Sequence, residues 1–264
     1  MVIVDSHCHL DDERLYPDVA GVVERARAAG VQYMQSICTT RKDFPIIHKL
    51  ALENRGLFCS YGIHPHHADD DVATYDELIE HGRLPKVIGI GETGLDYFYD
   101  NAPRQMQQES FKTHIRAARA LDLPVIIHTR SADDDTMAIM DEMRAEGPFK
   151  ALFHCFSSSA RLADYAVEHG IYVSASGIVT FGKAEEVRAG FRRVPLGLLM
   201  VETDAPYLAP MPHRGKTCEP AHTVLTAQFL ADLKHVPLAT LAQVTTDNFF
   251  RLFSKATREC EVSA

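Results

Sequence analysis

The sequence predicts a (β/α)8 barrel built as a single domain over residues 1–264. Two observations carry this prediction. Eight short apolar runs recur along the chain, each separated from the next by about the length of one βα unit. They are also near-continuously apolar, as parallel strands covered by helices are, rather than alternating like half-exposed antiparallel strands. The runs are Val2–Cys8, Val31–Cys38, Leu57–His64, Lys86–Glu92, Pro124–Arg130, Lys150–Phe156, Ile171–Ser176 and Leu198–Asp204. An open doubly wound sheet is the structural alternative, and eight units favour closure.

Between the runs lies helix punctuation. Pro17 opens a helix ending near Gly30, where a residue without Cβ makes a left-handed cap cheap. Thr74 and Glu77 are spaced for a reciprocal capping box. From Pro103 to Asp122, the residues Met106, Phe111, Ile115 and Ala118 are expected on one buried face. Ser159–Gly170, Ala221–Lys234 and Leu238–Lys255 read as further helices. Ala205–Pro220, with prolines at 206, 210, 212 and 220, is irregular and long enough to line a pocket mouth.

Composition narrows the class. Hydrophobic residues make up 46% of the chain and charged residues 24%, which fits a packed globular domain. The longest apolar runs are too short to span a bilayer, and the first residues lead directly into a strand rather than a secretory signal. A formal charge of −9 repels polyanions at long range, which disfavours a DNA-coating protein but not a nuclease with local, metal-mediated phosphate contacts. The six cysteines (8, 38, 59, 155, 218 and 260) form no C-x-x-C pair, so a reducing cytoplasm is expected.

The chemistry gathers at strand ends. Side chains alternate along a strand, so His7 and His9 share one side of the first. Glu92, His128, His154 and Asp204 each end an apolar run, with Arg130 on the same face as His128 and glycines at 89, 91 and 94 allowing close backbone approach near Glu92. Each residue alone has a structural explanation, as a cap, a core histidine or a turn residue. Six ligand-type side chains after five apolar strands are harder to explain that way, because burying them unpaired is costly. Barrel active sites lie where the strands' C-terminal ends converge, and mixed imidazole and carboxylate donors suit Zn²⁺, Mn²⁺ or related ions.

Five segments sharpen this. Asp5-Ser6-His7-Cys8-His9-Leu10-Asp11, Gly62-Ile63-His64-Pro65-His66, Gly91-Glu92-Thr93-Gly94-Leu95-Asp96-Tyr97, His154-Cys155-Phe156-Ser157 and Glu202-Thr203-Asp204-Ala205-Pro206-Tyr207-Leu208 resemble the signatures of TatD-family metal-dependent hydrolases, amidohydrolase-like barrels. The match runs from residue 3 to about residue 253. The resemblance implies two divalent ions (Zn, Mn or Mg), with His7, His9 and Asp204 around one, His128 and His154 around the other, and Glu92 bridging. It also implies that His64 contacts substrate or braces a ligand. The chain departs from the family at Thr217 and Cys218, where Arg and Asn are usual, and at Ser158, where glycine is usual.

The expected reaction is hydrolysis by a metal-activated water, with Asp204, Glu92 and His64 as catalytic residues and Asp204 relaying the proton. Arg130, His213, Arg214 and Lys216 are expected phosphate contacts, and Tyr97, Phe98, Tyr99 and Tyr207 expected stacking surfaces for a single-stranded end. The resemblance implies first a deoxyribonuclease acting from the 3′ end of DNA or another nucleic acid. Hydrolysis of acyl bonds, as in D-aminoacyl-tRNA, is the alternative, and a catalytically silent metal-binding protein the third reading. No obligate protein partner and no membrane association are expected.

Overall fold

A computed structural model describes residues 1–258. Eight parallel strands form one sheet in sequential order: β1 Ile3–Cys8, β2 Val31–Ser36, β3 Leu57–Tyr61, β4 Val87–Asp96, β5 Val125–Arg130, β6 Ala151–Phe153, β7 Tyr172–Ala175 and β8 Leu199–Val201. The ends of this sheet meet. Ser6 Oγ donates to the Val201 carbonyl at 3.1 Å, the Asp204 amide to the His7 carbonyl at 2.9 Å, and the His9 amide to the Ala205 carbonyl at 2.7 Å. The predicted (β/α)8 barrel is the fold observed.

Helices cover the strands: α1 Val19–Ala28, α2 Phe44–Glu53, α3 Tyr75–Gly82, α4 Arg104–Leu121, α5 Asp133–Ala145, α6 Ala160–Glu168, α7 Glu185–Arg193, α8 Thr223–Leu233 and α9 Leu238–Leu252. Two local expectations are corrected. Met106 faces solvent at 37% exposure, and the buried face of α4 runs through Gln107, Phe111, His114, Ile115 and Ala118 instead. Gln107 is buried because its amide is consumed by backbone: it accepts from the Asp96 amide (2.8 Å) and donates to the Ala102 carbonyl (2.8 Å). At the start of α3, Thr74 Oγ1 accepts from the Glu77 amide, but the box is not reciprocal. The Glu77 carboxylate is turned to Arg41 (2.6 Å) and the Tyr61 hydroxyl (2.6 Å). Pro17 lies in a 3-10 turn, Tyr16–Asp18, ahead of α1.

Strand alternation divides the core in two. Ile3, Leu57, Val87, Val125, Ala151 and Leu199 pack outward with the helices, while their neighbours Val4, Phe58, Ile88, Ile126, Leu152 and Met200 form a separate cluster with Phe249, Leu252 and Phe253. The end of α9 and the residue after it therefore plug the barrel interior. Gly89 completes the plug, since a Cβ there would approach Ile126 Cδ1 to 3.0 Å and Phe253 Cε1 to 3.1 Å. With that end filled by hydrocarbon, the polar chemistry is left to the opposite, C-terminal face of the strands.

Among the described residues no helix is long and apolar enough to cross a membrane. Cys8, Cys38, Cys59, Cys155 and Cys218 are all free thiols; Cys260 lies outside the described residues.

Phe253 is fully buried in the plug. Phe253→Ala is expected to cost about 3–5 kcal/mol, read as a lowered urea midpoint without a changed slope.

Candidate metal centre

The carboxylate of Glu92 occupies the middle of the C-terminal face and is 2% exposed. Four imidazoles converge on it. Oε1 lies 2.7 Å from His154 Nε2, 3.0 Å from His128 Nδ1 and 3.4 Å from His64 Nε2, and Oε2 lies 3.3 Å from His7 Nε2. Asp204 extends the cluster, its Oδ1 lying 3.3 Å from His9 Nε2 and 3.7 Å from His7 Nε2. All six expected ligands and His64 are thus brought together.

Backbone geometry makes this convergence possible. A Cβ on Gly62 would come within 2.4 Å of Gly91 Cα, so the chains carrying His64 and Glu92 pass closer than any other residue pair allows. Asp204 sits at φ +58°, a left-handed conformation that Asp tolerates, and so turns off β8 toward the histidines of β1. Below it, buried Asp5 accepts both the amide (2.9 Å) and hydroxyl (2.6 Å) of Thr203; burial lifts its carboxyl to about 7.

Several functional neighbours were not anticipated. Glu202, fully buried, lies 3.5 Å from His154 Nδ1 and accepts the Cys155 amide (2.7 Å) and the Ser174 hydroxyl. Asp96 accepts from His128 Nε2 (3.1 Å) and His66 Nε2 (3.0 Å). Carboxylates behind ligating imidazoles fix which ring nitrogen faces the ion. Spacing carried a signal for each: Glu202 lies two residues before Asp204, Asp96 four after Glu92 on the same strand, and His66 two after His64.

The donor set fits a divalent cation. His7 Nε2 is fully buried and makes no hydrogen bond among the described residues, although two carboxylates lie within 3.7 Å of it. Burial pulls the His7 imidazole down, which leaves it neutral and able to ligate. Three overlapping groups have donor atoms close enough to share an ion: His7–His9–Asp204, His7–His154–Glu202 and His64–Glu92–His128. In the last group His64 is the weaker ligand. Its Nδ1 accepts the His66 amide (3.1 Å), so its hydrogen resides on Nε2, and burial depresses the ring to about 4. His64 is accordingly a neutral donor.

A cavity of about 1710 Å³ opens above this floor. His9, His64, Glu92, His128, His154 and Asp204 line it, as do Arg130, Tyr97, Tyr99 and Tyr207. Arg130 lies over the Phe98 ring (4.1 Å) and the Tyr99 ring (4.7 Å), and its guanidinium makes no ion pair among the described residues. The other three expected phosphate contacts are not brought to the cavity. His213 stacks on His222 at 4.6 Å, Arg214 lies over Phe181 at 4.5 Å, and Lys216 is exposed beyond them. Of the departures from the family pattern, Ser158 lines the cavity, whereas Thr217 and buried Cys218 do not.

Burial lowers the His9 imidazole, but the hydrogen bond and charge of Asp204 outweigh it and lift the ring to about 9. A ligating imidazole must be neutral, so an entering ion displaces this proton. Affinity for Zn²⁺ or Mn²⁺ is expected to climb with pH from 6 toward 9. Calorimetry in buffers of different ionisation heat should detect a released proton that His9→Ala does not release.

Known proteins resemble this chain along nearly all of its length. The family model described as TatD related DNase matches residues 4–254. Escherichia coli K12 YcfH, described as an uncharacterized metal-dependent hydrolase, is 44% identical over 256 residues, covering 96% of each chain. The Mycobacterium tuberculosis protein TatD, described in the same words, is 36% identical over 263 residues, covering 95% of this chain and 97% of its own. Among solved structures, the TatD homolog YjjV of E. coli K12 superposes with a TM-score of 0.88 at 27% identity, over 96% of this chain and 98% of that one. The chain is a member of the TatD family of metal-dependent hydrolases.

Proposed function

We propose that this chain is a deoxyribonuclease that uses two divalent ions to remove nucleotides from the 3′ end of single-stranded DNA. The observation that carries the reading is Arg130: a guanidinium with no ion pair among the described residues, clasped by Phe98 and Tyr99, two residues along β5 from His128 and lining the same cavity. A planar cation beside a metal centre suits a phosphodiester, and the aromatic rings offer faces to a neighbouring base. His7, His9 and Asp204 would hold one ion and His128 and His154 the other, with Glu92 available to both; Zn²⁺, Mn²⁺ and Mg²⁺ are the ions to test. Bound there, they would lower the pKa of water and polarise the phosphoryl oxygen under attack.

The protein groups divide the remaining work. Burial raises the Asp204 carboxyl, but the hydrogen bond and charge of His9 bring it below its ordinary range, so it stands ionised and can accept a proton from the attacking water. The bond from phosphorus to the 3′ oxygen of the penultimate nucleotide breaks, and Asp204 returns the proton to that oxygen. His64 donates its Nε2 hydrogen toward the phosphate, and Arg130 holds the remaining charge. The free thiols accord with a reducing cytoplasm as the site of action.

The test is nucleotide release from 3′-labelled and 5′-labelled single-stranded DNA with each metal, beside an EDTA control. Shortening from the 3′ end is expected, and Glu92→Ala should abolish it while leaving the fold intact. Failure with every metal would sink the nuclease reading and turn attention to aminoacyl-tRNA and small esters. Arg130→Ala is expected to raise KM roughly 10- to 100-fold, the worth of one charged hydrogen bond to phosphate; an unchanged KM would remove it from the site.

A further inference from the structure

We propose that Asp96 is a positioning residue that couples the metal centre to the arginine clasp, one carboxylate oxygen serving each. The inference rests on the assignment of His128 as a ligand and Arg130 as a phosphate contact, and carries both to a residue that is neither.

Asp96 ends β4 and is fully buried. Its backbone is fixed on both sides by Gln107, whose side chain accepts the Asp96 amide at 2.8 Å and donates to the Asp96 carbonyl at 3.3 Å. With the backbone held, the carboxylate points its two oxygens at different tasks. Oδ2 accepts from His128 Nε2 at 3.1 Å and from His66 Nε2 at 3.0 Å. That bond places the hydrogen of His128 on Nε2 and leaves Nδ1 to face Glu92 at 3.0 Å and His154 Nε2 at 3.4 Å.

Oδ1 accepts from the amides of Phe98 (3.0 Å) and Tyr99 (2.9 Å). This is the local Asx geometry that bends a chain back over its own side chain. Here it sets the two rings that clasp Arg130. No other bond among the described residues spans these two halves through a single side chain. Four donors saturate the carboxylate.

The isosteric substitution separates the two oxygens. In Asp96→Asn the amide oxygen can still accept from Phe98 and Tyr99, while the amide nitrogen can no longer accept from His128 or His66. Asp96→Ala removes both functions. The measurements are affinity for Zn²⁺ and Mn²⁺ by competition with a chromophoric chelator, and hydrogen exchange of the Phe98 and Tyr99 amides, neither of which needs a substrate. Asp96→Asn is expected to weaken metal binding roughly 10- to 100-fold with amide protection kept, and Asp96→Ala to lose both. Wild-type metal affinity in Asp96→Asn would overturn the inference, whether or not Asp96→Ala folds. Equal loss of amide protection in both variants would also overturn it, by showing a merely structural role. If the wild-type chain bound neither ion, the metal centre and this inference would fall together; absent nuclease activity would leave both readouts standing.

Discussion

A carboxylate cannot be sealed inside a protein without partners, and Glu92 is nearly sealed. Satisfying it requires imidazoles from β1, from the segment after β3, from β5 and from the residue after β6. Strands so far apart in sequence can deliver side chains to one point only where a closed sheet brings their ends into a ring. Closure in turn requires the tight passage of Gly62 past Gly91 and the bonds between the ends of β1 and β8. The donors compete, since three imidazoles share Glu92 Oε1, and His7 Nε2 has no hydrogen-bond partner among the described residues. A bound metal cation would give His7 Nε2 the partner that it lacks.

Much of this was legible in the sequence because strand geometry is periodic. Once His7, Glu92, His128, His154 and Asp204 are read as the ends of apolar strands, convergence follows from the barrel. Local periodicity was less informative where a polar side chain is buried for tertiary reasons. Gln107 displaces Met106 from the inner face of α4 because it wraps the Asp96 backbone, a partner eleven residues away and on a different element. Glu77 abandons its capping role because Arg41 and Tyr61 offer it stronger bonds.

Loop residues were legible only in kind. The sequence marks Ala205–Pro220 as irregular and basic in part, but not the path of its chain. Stacking between His213 and His222, and of Arg214 on Phe181, draws those side chains away from the cavity. Arg130 is the exception because it lies within β5, where alternation fixes its direction along with that of His128. The supporting carboxylates Glu202 and Asp96 lay within recognisable motifs, yet nothing in spacing alone separates a ligand from the group that orients it.

The plug at the other end of the barrel bears on how the chain is made. Val4 on the first strand shares its inner cluster with Phe249 and Phe253, some 245 residues later in the chain. Even the Val2 carbonyl waits for Thr246 Oγ1, at 3.1 Å. During synthesis the eight strands therefore emerge before the helix end that plugs their interior. A nascent copy of this chain therefore has an unplugged barrel end until its last helix is made, and apolar surface left open in that way favours association between unfinished chains.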